Sequence, residues 1–530
     1  MTEPATATTE RTTPEPHNGE ASAYSWYVLG ILVLVYVLNF VDRQILSILA
    51  NDIKRDLDLT DADLGFLYGT AFAVFYALFG IPLGRLADNW HRVKLMSFGL
   101  ALWSVMTAVS GFSRSGMQLT AARIGVGIGE ATASPAAYSL ISDYFPQRLR
   151  ATALAIYSSG LFIGGGLSLL VGGLIVEQWN GAYPAGGPLG LVGWQAAFMA
   201  VGLPGVFLAL WVATIREPVR GEIDGLPTRG SATPFKGFFA ELMNVIPPIT
   251  LLGAARRGPT ALIVNVLGAV FIAVVVTVLT TLLGTATRQQ WVFVGFGVYA
   301  VFSWASALKS SDAPTFNLIW RSPAFLCIIL GYGMVAFAAY ATSYWTAPYA
   351  ERVFGIAKTE LGWFIGAPSA LSGFLGVILG GRVADYLHVR LPAGRVYVVL
   401  FGLLMPAIPT FIAFSTDSFA IFVVASFFAQ LLSSSALGAA AASSQSLVLP
   451  RMRGTATATF FLSTTLVGLA LGPFTAGYIS ASNNDDLALG VISTLASLPV
   501  GLVLLLSAIR LYPAAQAGIT SRARAAGEKI

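Results

Sequence analysis

Cysteine and histidine are scarce in this chain of 530 residues, which has one cysteine and three histidines. The single cysteine, Cys327, excludes a disulfide within the chain and any cluster of cysteines around zinc or iron–sulfur. His17, His91 and His388 are far apart in the sequence, and none has the spacing of a metal ligand. We therefore expect neither a metal site nor a cofactor.

Charged residues are also few, at 11% of the chain against 55% hydrophobic residues, and the mean hydropathy is +0.72. An ordinary soluble domain has about 25% charged residues. The composition therefore predicts an all-α integral membrane protein that crosses the bilayer many times. The net charge of +5 gives no reason to expect a nucleic-acid partner, because the basic residues follow the membrane topology.

Two classes of membrane enzyme lack their motifs here. The chain has no Gly-x-x-x-x-Gly-Lys-Ser/Thr loop, and no soluble domain that would hold one, so a primary pump is disfavoured. A membrane acyltransferase usually needs an intramembrane histidine or cysteine beside a base. Here the histidines lie outside the predicted spans, and Cys327 has no partner. We therefore expect a protein that is not an enzyme. A channel or receptor stays open on this chemistry.

Long apolar segments predict fourteen spans, arranged as six, two and six. The connecting segment is too long for a plain linker, and it contains a predicted interfacial helix at Phe235–Leu252. Its two apolar runs, Ala261–Leu283 and Trp291–Leu308, either span the bilayer or lie against the domain or in the headgroup region. The spans of the two large groups are predicted at 25–50, 62–87, 93–112, 116–144, 150–178, 191–215, 322–349, 358–386, 395–414, 418–448, 454–481 and 488–511.

The predicted organisation has five parts. Residues 1–22 are rich in Thr, Pro and Glu and are expected to form a disordered cytoplasmic tail. The other four are a six-helix bundle at 23–216, the connecting segment 217–320, a second six-helix bundle at 321–512 and a cytoplasmic tail at 513–530.

The distribution of lysine and arginine predicts the orientation. With the N-terminus inside, the inner face receives 23 of these residues, the outer face six, and two lie within spans. Cytoplasmic loops carry such an excess. We therefore expect both termini to be cytoplasmic, in a bacterial inner membrane.

The two six-span groups repeat one another. Gly84–Asp88 (Gly-Arg-Leu-Ala-Asp) corresponds to Gly381–Asp385 (Gly-Arg-Val-Ala-Asp) after the second span of each group. Arg148–Ala153 corresponds in the same way to Arg451–Ala456 after the fourth span. Two such halves imply a pseudo-two-fold axis along the membrane normal and a binding site at their interface.

Four ionisable residues fall inside predicted spans. Asp42 and Arg43 lie in the first span, and Arg123 and Glu130 lie seven residues apart in the fourth. Residues at this spacing share one face of a helix, about 10 Å apart along its axis. Intramembrane charges cost several kcal/mol unless they face a polar cavity or a partner, so these four residues predict a functional centre.

These motifs resemble the major facilitator superfamily. Gly84-x-x-x-Asp88-x-x-x-Arg92-x-Lys94 is similar to the signature loop of the family, with His91 where a glycine is usual. Arg123-x-x-x-Gly127-x-Gly129 and the glycines of the fifth span are similar to further family motifs. The pair Asp42-Arg43, followed by Gln44-Ile45-Leu46, makes the chain resemble a bacterial spinster homologue, together with Glu130. The resemblance implies the major facilitator fold and a proton-linked transporter of an amphipathic, lipid-like substrate.

We expect Asp42 and Glu130 to bind protons, while Arg43 and Arg123 compete for these carboxylates and for an anionic group of the substrate. By their depth in the membrane, Asp42 and Arg123 are able to meet. The alternative is a static buried ion network that only fixes helix packing.

The second half offers an aromatic wall in place of a charged one. At its fourth span, Ser433–Ala439 has no charge. A charged wall opposite an aromatic wall suits a substrate with a polar head and an apolar body. The alternative is that these aromatic residues are ordinary packing or interface residues. The predicted cavity residues are Tyr340, Tyr344, Trp345 and Trp363.

The repeated loops predict a gate on the cytoplasmic side. Ion pairs between them would hold that side shut in the outward-open state. Positive-inside topology alone explains the arginines, but it does not explain the repeated aspartates. The predicted gate residues are Gly84, Asp88, Arg92, Asp143, Arg150, Gly381, Asp385 and Arg453.

The sequence thus predicts a secondary active transporter that works by alternating access and is coupled to protons. Its predicted substrate is an amphipathic or lipid-like small molecule, and this class includes anionic molecules. The alternatives are a proton-independent facilitator and an organic-anion symporter, because Arg43 and Arg123 are also suited to holding a carboxylate. The expected partners are this substrate, protons and membrane lipids, and the protein is expected to be a monomer.

Overall fold

The computed structural model describes residues 21–224 and 233–529, so the predicted tail at 1–22 lies almost entirely outside the described residues. The helices are α1 (Ala23–Asp56), α2 (Asp61–Asn89), α3 (Arg92–Ser110), α4 (Gly116–Glu130), α5 (Ala133–Tyr144), α6 (Gln147–Ala182), α7 (Gly193–Ala213), α8 (Pro234–Val245), α9 (Thr250–Arg257), α10 (Pro259–Leu283), α11 (Thr285–Ser311), α12 (Ala313–Ile319), α13 (Pro323–Phe354), α14 (Lys358–Arg390), α15 (Gly394–Ala413), α16 (Phe419–Gln445), α17 (Pro450–Ser482), α18 (Leu487–Ala517) and α19 (Ile519–Ala525).

The predicted multi-span helical fold is confirmed. Within the described ranges, thirteen helices are long and apolar enough to cross a membrane. They include α10 and α11 in the connecting segment and all the predicted bundle spans except the fourth. That span is divided into α4 and α5 at Ala131 and Thr132, directly after Glu130. The break places Glu130 at a helix end in the interior of the protein.

The predicted interfacial helix at Phe235–Leu252 is wrong as a single helix. The structure has α8 and α9 instead, with a bend of 100° between them. Pro247 and Pro248 lie in the connection, and proline cannot continue a helix because it lacks the backbone N–H and its ring clashes with the preceding turn. The amphipathic α8 packs on α2, where Phe235 contacts Trp90 with their ring centroids 5.3 Å apart.

The first half (α1–α7) and the second half (α13–α18) share local features as well as helix order. A wide π-helical turn interrupts α2 at Phe66–Thr70 and α14 at Gly362–Gly366. These turns have nearly the same spacing along the chain as the loop glycines Gly84 and Gly381. π-Helical turns inside α-helices are rare, so their recurrence supports the internal repeat.

The molecule has two faces, which we call terminal and distal. The terminal face is where α1 begins and α18 ends, and the distal face is where α1 ends and α2 begins. The largest hydrophobic core fills the first half and continues at the distal side into the second half, through residues such as Tyr349, Leu361 and Phe474. A separate core fills the rest of the second half. The two halves therefore share one packed interior at the distal side.

Candidate functional site

Arg43 and Glu130 form a buried ion pair between α1 and the end of α4. The Nη2 atom of Arg43 donates a hydrogen bond of 2.7 Å to Oε2 of Glu130, and Arg43 is 7% exposed and Glu130 1%. The guanidinium also lies over the rings of Phe72 and Tyr76, at 4.4 and 5.1 Å from their centroids. Carboxylate and aromatic faces together compensate the desolvation of this cation.

Asp42 and Arg123 are neighbours, but their charged groups do not pair. Nη1 of Arg123 donates to the backbone carbonyl of Asp42 at 3.3 Å, and both carboxylate oxygens of Asp42 are buried without a hydrogen-bond partner. Trp103 and Thr107 lie next to that carboxylate, outside hydrogen-bond geometry. Nε and Nη2 of Arg123 also lack partners. Consecutive residues of α1 point about 100° apart, which explains why Arg43 reaches Glu130 and Asp42 does not.

Directly after this charged centre, Gln44 joins the two halves. Nε2 of Gln44 donates to Oγ of Ser343 at 2.9 Å, and its Oε1 accepts a short hydrogen bond from the hydroxyl of Tyr68. The ring of Tyr68 stacks on that of Tyr344 with a centroid distance of 4.2 Å. The charged centre and the contact between halves are therefore consecutive on one helix.

The four predicted cavity residues separate into different environments. Tyr340 is half-buried and lies close enough to Arg43 to interact with it electrostatically. Tyr344 and Trp345 are fully buried, and the indole of Trp345 donates to the carbonyl of Pro473 at 3.0 Å. These two residues pack in the distal contact, because the distal part of α13 lies against α1 and α17. Trp363 is 60% exposed on the π-helical turn of α14.

A polar cluster holds the halves together at the distal face. Asp61, at the start of α2, accepts from both terminal nitrogens of Arg352 at 2.7 and 2.8 Å and from Oγ of Ser480 at 2.7 Å. Lys358 approaches Asp52 at 3.4 Å and donates to the carbonyl of Ile48 at 3.1 Å. These contacts close the distal side of the interface.

At the terminal face, the predicted gate residues of the first half pair with one another and with the segment that follows α7. Arg92 donates to Asp143 through a short contact and to Glu217 at 2.7 Å, while Arg150 donates to Asp224 at 2.7 Å. The carboxylate of Asp88 interacts electrostatically with Arg220 and Arg85. Gly84 faces Pro135, whose ring carbon would lie 4.0 Å from an added Cβ atom.

The gate residues of the second half form a separate group. Asp385 accepts from Arg395 at 3.2 Å, and its side chain is 75% exposed. Gly381 has open space beside it, and Arg453 is exposed. The structure therefore does not bring the two sets of gate residues together.

Near Arg453, the C-terminal segment is fastened by Arg451. This side chain donates to Asp312 at 2.8 Å and to Glu528 at 2.6 Å. Burial would raise the pKa of Asp312, but the hydrogen bonds from Arg451 and Thr315 hold it below its ordinary value. The hydrogen bond from Arg451 likewise lowers the pKa of Glu528. The contact joins the end of the connecting segment to the C-terminal segment.

Sequence reasoning missed the distal cluster and the contact that Gln44 makes with the other half. Only six basic residues are expected on the outer face, and three of them lie at helix ends in this cluster: Lys54, Arg352 and Lys358. Their position at helix ends was a signal from which the cluster could have been predicted. Gln44 gave no such signal, because one amide at a span centre is compatible with many contacts.

Within residues 21–224 and 233–529, no three His, Cys, Asp or Glu side chains are grouped to hold a metal ion. A groove of about 640 Å³ lies between α15 and α16, remote from the charged centre. Its lining is apolar and includes Phe401, Ile408 and Phe428, so this groove has no groups for a charged ligand.

Comparison with known sequences gives the family. A sequence model described as the Major Facilitator Superfamily matches residues 32–345. A protein of Mycolicibacterium smegmatis described as an MFS-type efflux pump is 27% identical over 487 residues, which cover 92% of this chain and 91% of that protein. Protein spinster of Drosophila melanogaster is 26% identical over 382 residues, covering 72% of this chain and 49% of the length of that protein.

A solved structure shares the whole architecture. It is the crystal structure of a bacterial homologue of the human lysosomal transporter Spinster, in an inward-facing and unoccupied conformation. It is 27% identical, with a TM-score of 0.67, and the match covers 95% of this chain and 99% of that one. With a family match over more than half its length, this chain belongs to the major facilitator superfamily as a multi-pass membrane transporter similar to spinster proteins, and it is not an enzyme.

Proposed function

We propose that this protein is a proton-coupled transporter of an amphipathic, lipid-like small molecule, with both termini cytoplasmic in a bacterial inner membrane. Transporters of this superfamily work by alternating access. In the proposed orientation the distal face is external. Because the distal side is closed, the proposed state of this structure is inward-facing. The observation that carries the proposal is the buried Arg43–Glu130 pair beside the unpaired carboxylate of Asp42.

Proton coupling follows from the cost of the two carboxylates. A buried carboxylate without a partner is unfavourable in its charged form, and a proton removes that cost at Asp42. A proton on Glu130 would weaken its bond to Arg43 and free the guanidinium. Each proton thus changes which groups the two arginines attract.

The position of Gln44 supports a link between this exchange and the conformational change. Gln44 follows Arg43 on α1 and reaches Ser343 in the other half. A shift of α1 that accompanies release of Arg43 would also strain the Gln44–Ser343 contact. Proton binding at the charged centre would therefore favour separation of the halves at the distal side.

An amphipathic cargo fits the asymmetry of the two halves. Arg43 and Arg123 supply the charged wall, whereas α16 has no charged residue and Tyr340 lies close enough to Arg43 to interact with it electrostatically. The proposed cargo places its polar or anionic head at the arginines and its apolar body against the second half. The similarity to the Drosophila spinster protein and to the solved bacterial homologue of Spinster supports the same group of transporters.

The terminal-face residues form the proposed second gate. In the outward-open state, Asp88 and Asp385 would approach basic residues of the opposite half, in place of the partners described above. Their separation into two groups is compatible with an inward-facing state, in which this gate is open.

Transport in proteoliposomes tests the proton coupling. Mass spectrometry of lipids and metabolites that co-purify with the protein would first identify the cargo. Asp42→Asn and Glu130→Gln should each abolish the dependence of uptake on a pH gradient, while counterflow without a gradient persists. Asp58→Asn, at an exposed distal loop, is the matched control and should behave as the unmodified protein. Unchanged pH dependence in both core variants would refute the coupling.

A proton-independent facilitator or organic-anion symporter is the second candidate. The free Nε and Nη2 atoms of Arg123 favour it, because a guanidinium with two open donors suits a carboxylate. Counterflow with and without a proton gradient separates the candidates. Equal rates would favour the facilitator, and acceleration by the gradient would favour proton coupling.

A further inference from the structure

The connecting segment places α11 in the groove where α2 of the first half meets α17 of the second. At Gly297 of α11, an added Cβ atom would lie 3.0 Å from Leu466 of α17 and 3.4 Å from Val74 of α2. One turn of α11 therefore contacts both halves. Its partner α10 lies at the periphery, with Asn265 as its one buried residue in the described chain.

Apolar packing continues this contact along the groove. Phe293 of α11 packs its ring against Phe66 and Phe75 of α2, at centroid distances of 5.2 and 5.9 Å. Trp291 packs against Phe474 of α17 at 6.4 Å. One hydrophobic cluster joins α2, α8, α11 and α17 through Val74, Ala77, Leu78, Val245, Ala300, Trp304, Leu462 and Leu466.

Gln290 adds a polar contact that links the two halves. This residue is 1% exposed, and its Nε2 donates to the carbonyl of Ala470 on α17 at 3.1 Å. The hydroxyl of Thr70 on α2 lies 2.6 Å from Oε1 of Gln290 and 2.6 Å from the same carbonyl. The Thr70 hydroxyl has one proton, so it donates either to Gln290 or directly to Ala470. When it donates to Gln290, this buried amide bonds to α2 and α17 at once.

At this level, α2 and α17 touch backbone to backbone. A Cβ atom on Gly69 would lie 2.4 Å from the carbonyl oxygen of Leu469, and one on Gly65 would lie 2.4 Å from that of Pro473. Opening the distal side between the halves requires these two helices to separate here. Gln290 must then lose its bond to either Thr70 or Ala470.

We propose that α11 is a brace, acting through Gln290, that stabilises the distal-closed state of the transporter. A more stable distal closure lowers the population of the distal-open state. The helix pair α10–α11 would therefore set the equilibrium between the two access states. The inference depends on alternating access between the halves. It depends neither on proton coupling nor on the nature of the cargo.

Distance measurements between spin labels test this proposal in the full chain. Labels at Ala185→Cys and Ser415→Cys, in exposed distal loops of opposite halves, would be placed in a Cys327→Ala background. Gln290→Leu should increase the ratio of the longer, distal-open distances to the shorter ones by roughly two- to tenfold, the effect of one net hydrogen bond. Gln289→Leu, an exposed neighbour on α11, is the matched control and should leave the ratio unchanged.

A second variant tests the same hydrogen-bond network from α2. Thr70→Val removes the hydroxyl that contacts both Gln290 and Ala470, and it should raise the ratio of open to closed distances in the same direction. The double variant should shift the ratio by less than the sum of the two single changes, because Gln290 and Thr70 belong to one hydrogen-bond network at Ala470. If Gln290→Leu does not fold, Gln290→Met removes the same amide with a side chain of similar length and decides. A ratio equal to that of Gln289→Leu in the folded Gln290 variant would overturn the brace, whatever Thr70→Val does, while the proton-coupling proposal would be unaffected.

Discussion

Arg43 bonds to one carboxylate and lies over several aromatic rings, and this combination suits arginine better than lysine. The planar guanidinium stacks on Phe72 while it donates to Glu130. A lysine ammonium is a compact, strongly hydrated charge that stacks poorly and cannot spread its donors in a plane. The residue therefore does more than supply a positive charge.

We predict that Arg43→Lys lowers the free energy of unfolding by about 1–2 kcal/mol and slows transport, because the stacking energy is lost while the charge remains. Thermal unfolding in detergent and uptake by proteoliposomes measure the two effects. Arg55→Lys is the control, since the side chain of Arg55 is 71% exposed at the distal face and exposed ion pairs contribute little. Equal stability of the two variants would contradict the role given to stacking.

The sequence was sufficient to find the charged residues, and insufficient to pair them. Asp42, Arg43, Arg123 and Glu130 stand out because charge is costly inside a span. Which neighbour faces which helix depends on the rotation of α1 about its axis. Hydropathy does not report that rotation, so the Arg43–Glu130 bond became visible only in three dimensions.

At the scale of helices, close backbone contact defines the distal closure. Gly69 lies in the π-helical turn of α2, where it faces a carbonyl of α17. A helix can approach another this closely only where no side chain intervenes. The distal closure therefore depends on a residue without a Cβ atom at position 69.

Gly69→Ala should shift the population toward the distal-open state, because a Cβ atom would meet the carbonyl of Leu469 at 2.4 Å. Overpacking of this kind costs about 1–3 kcal/mol, enough to raise the ratio of open to closed distances roughly tenfold. Gly80→Ala, in the same helix with no atom within 4 Å of the added Cβ, is the control. The distal label pair reports the result, and equal ratios in both variants would count against the closure described.

Helix positions were predictable from hydropathy alone for most of the chain. The predicted span 358–386 corresponds to α14, and 191–215 corresponds to α7, with ends shifted by a few residues. The connecting segment was harder, because a pair of prolines divides one apolar run into α8 and α9. Packing of α11 between the halves could not be predicted, because it depends on contacts such as that between Gln290 and Ala470, 180 residues apart along the chain.

At the scale of the whole molecule, two closures would alternate. The distal closure is formed through Asp61 and Arg352, while the terminal-face residues remain in separate groups. In the proposed cycle, Asp88 joins the opposite half only when the terminal face closes. The equilibrium between states then reflects the difference between two sets of polar contacts.

We expect Asp88→Ala to reduce transport and to lower the population of distal-open molecules about fivefold, as loss of about 1 kcal/mol from the other closure implies. Uptake and the distal label pair measure these changes. Asp417→Ala, in an exposed distal loop, is the control. If Asp88→Ala leaves the label distances unchanged, the aspartate does not belong to a gate.

The absence of charged residues from α16 has a consequence for the proposed roles of the two halves. With Asp42, Arg43, Arg123 and Glu130 all in the first half, the proposed proton coupling and the proposed contact with the apolar body of the cargo fall to different copies of the same architecture. In the proposed cycle, the wall of the second half can change its shape without altering the residues that bind protons. Chimeras that exchange α13–α18 between related transporters should take their preference for the apolar body of the cargo from that half, and their dependence on the proton gradient from the other.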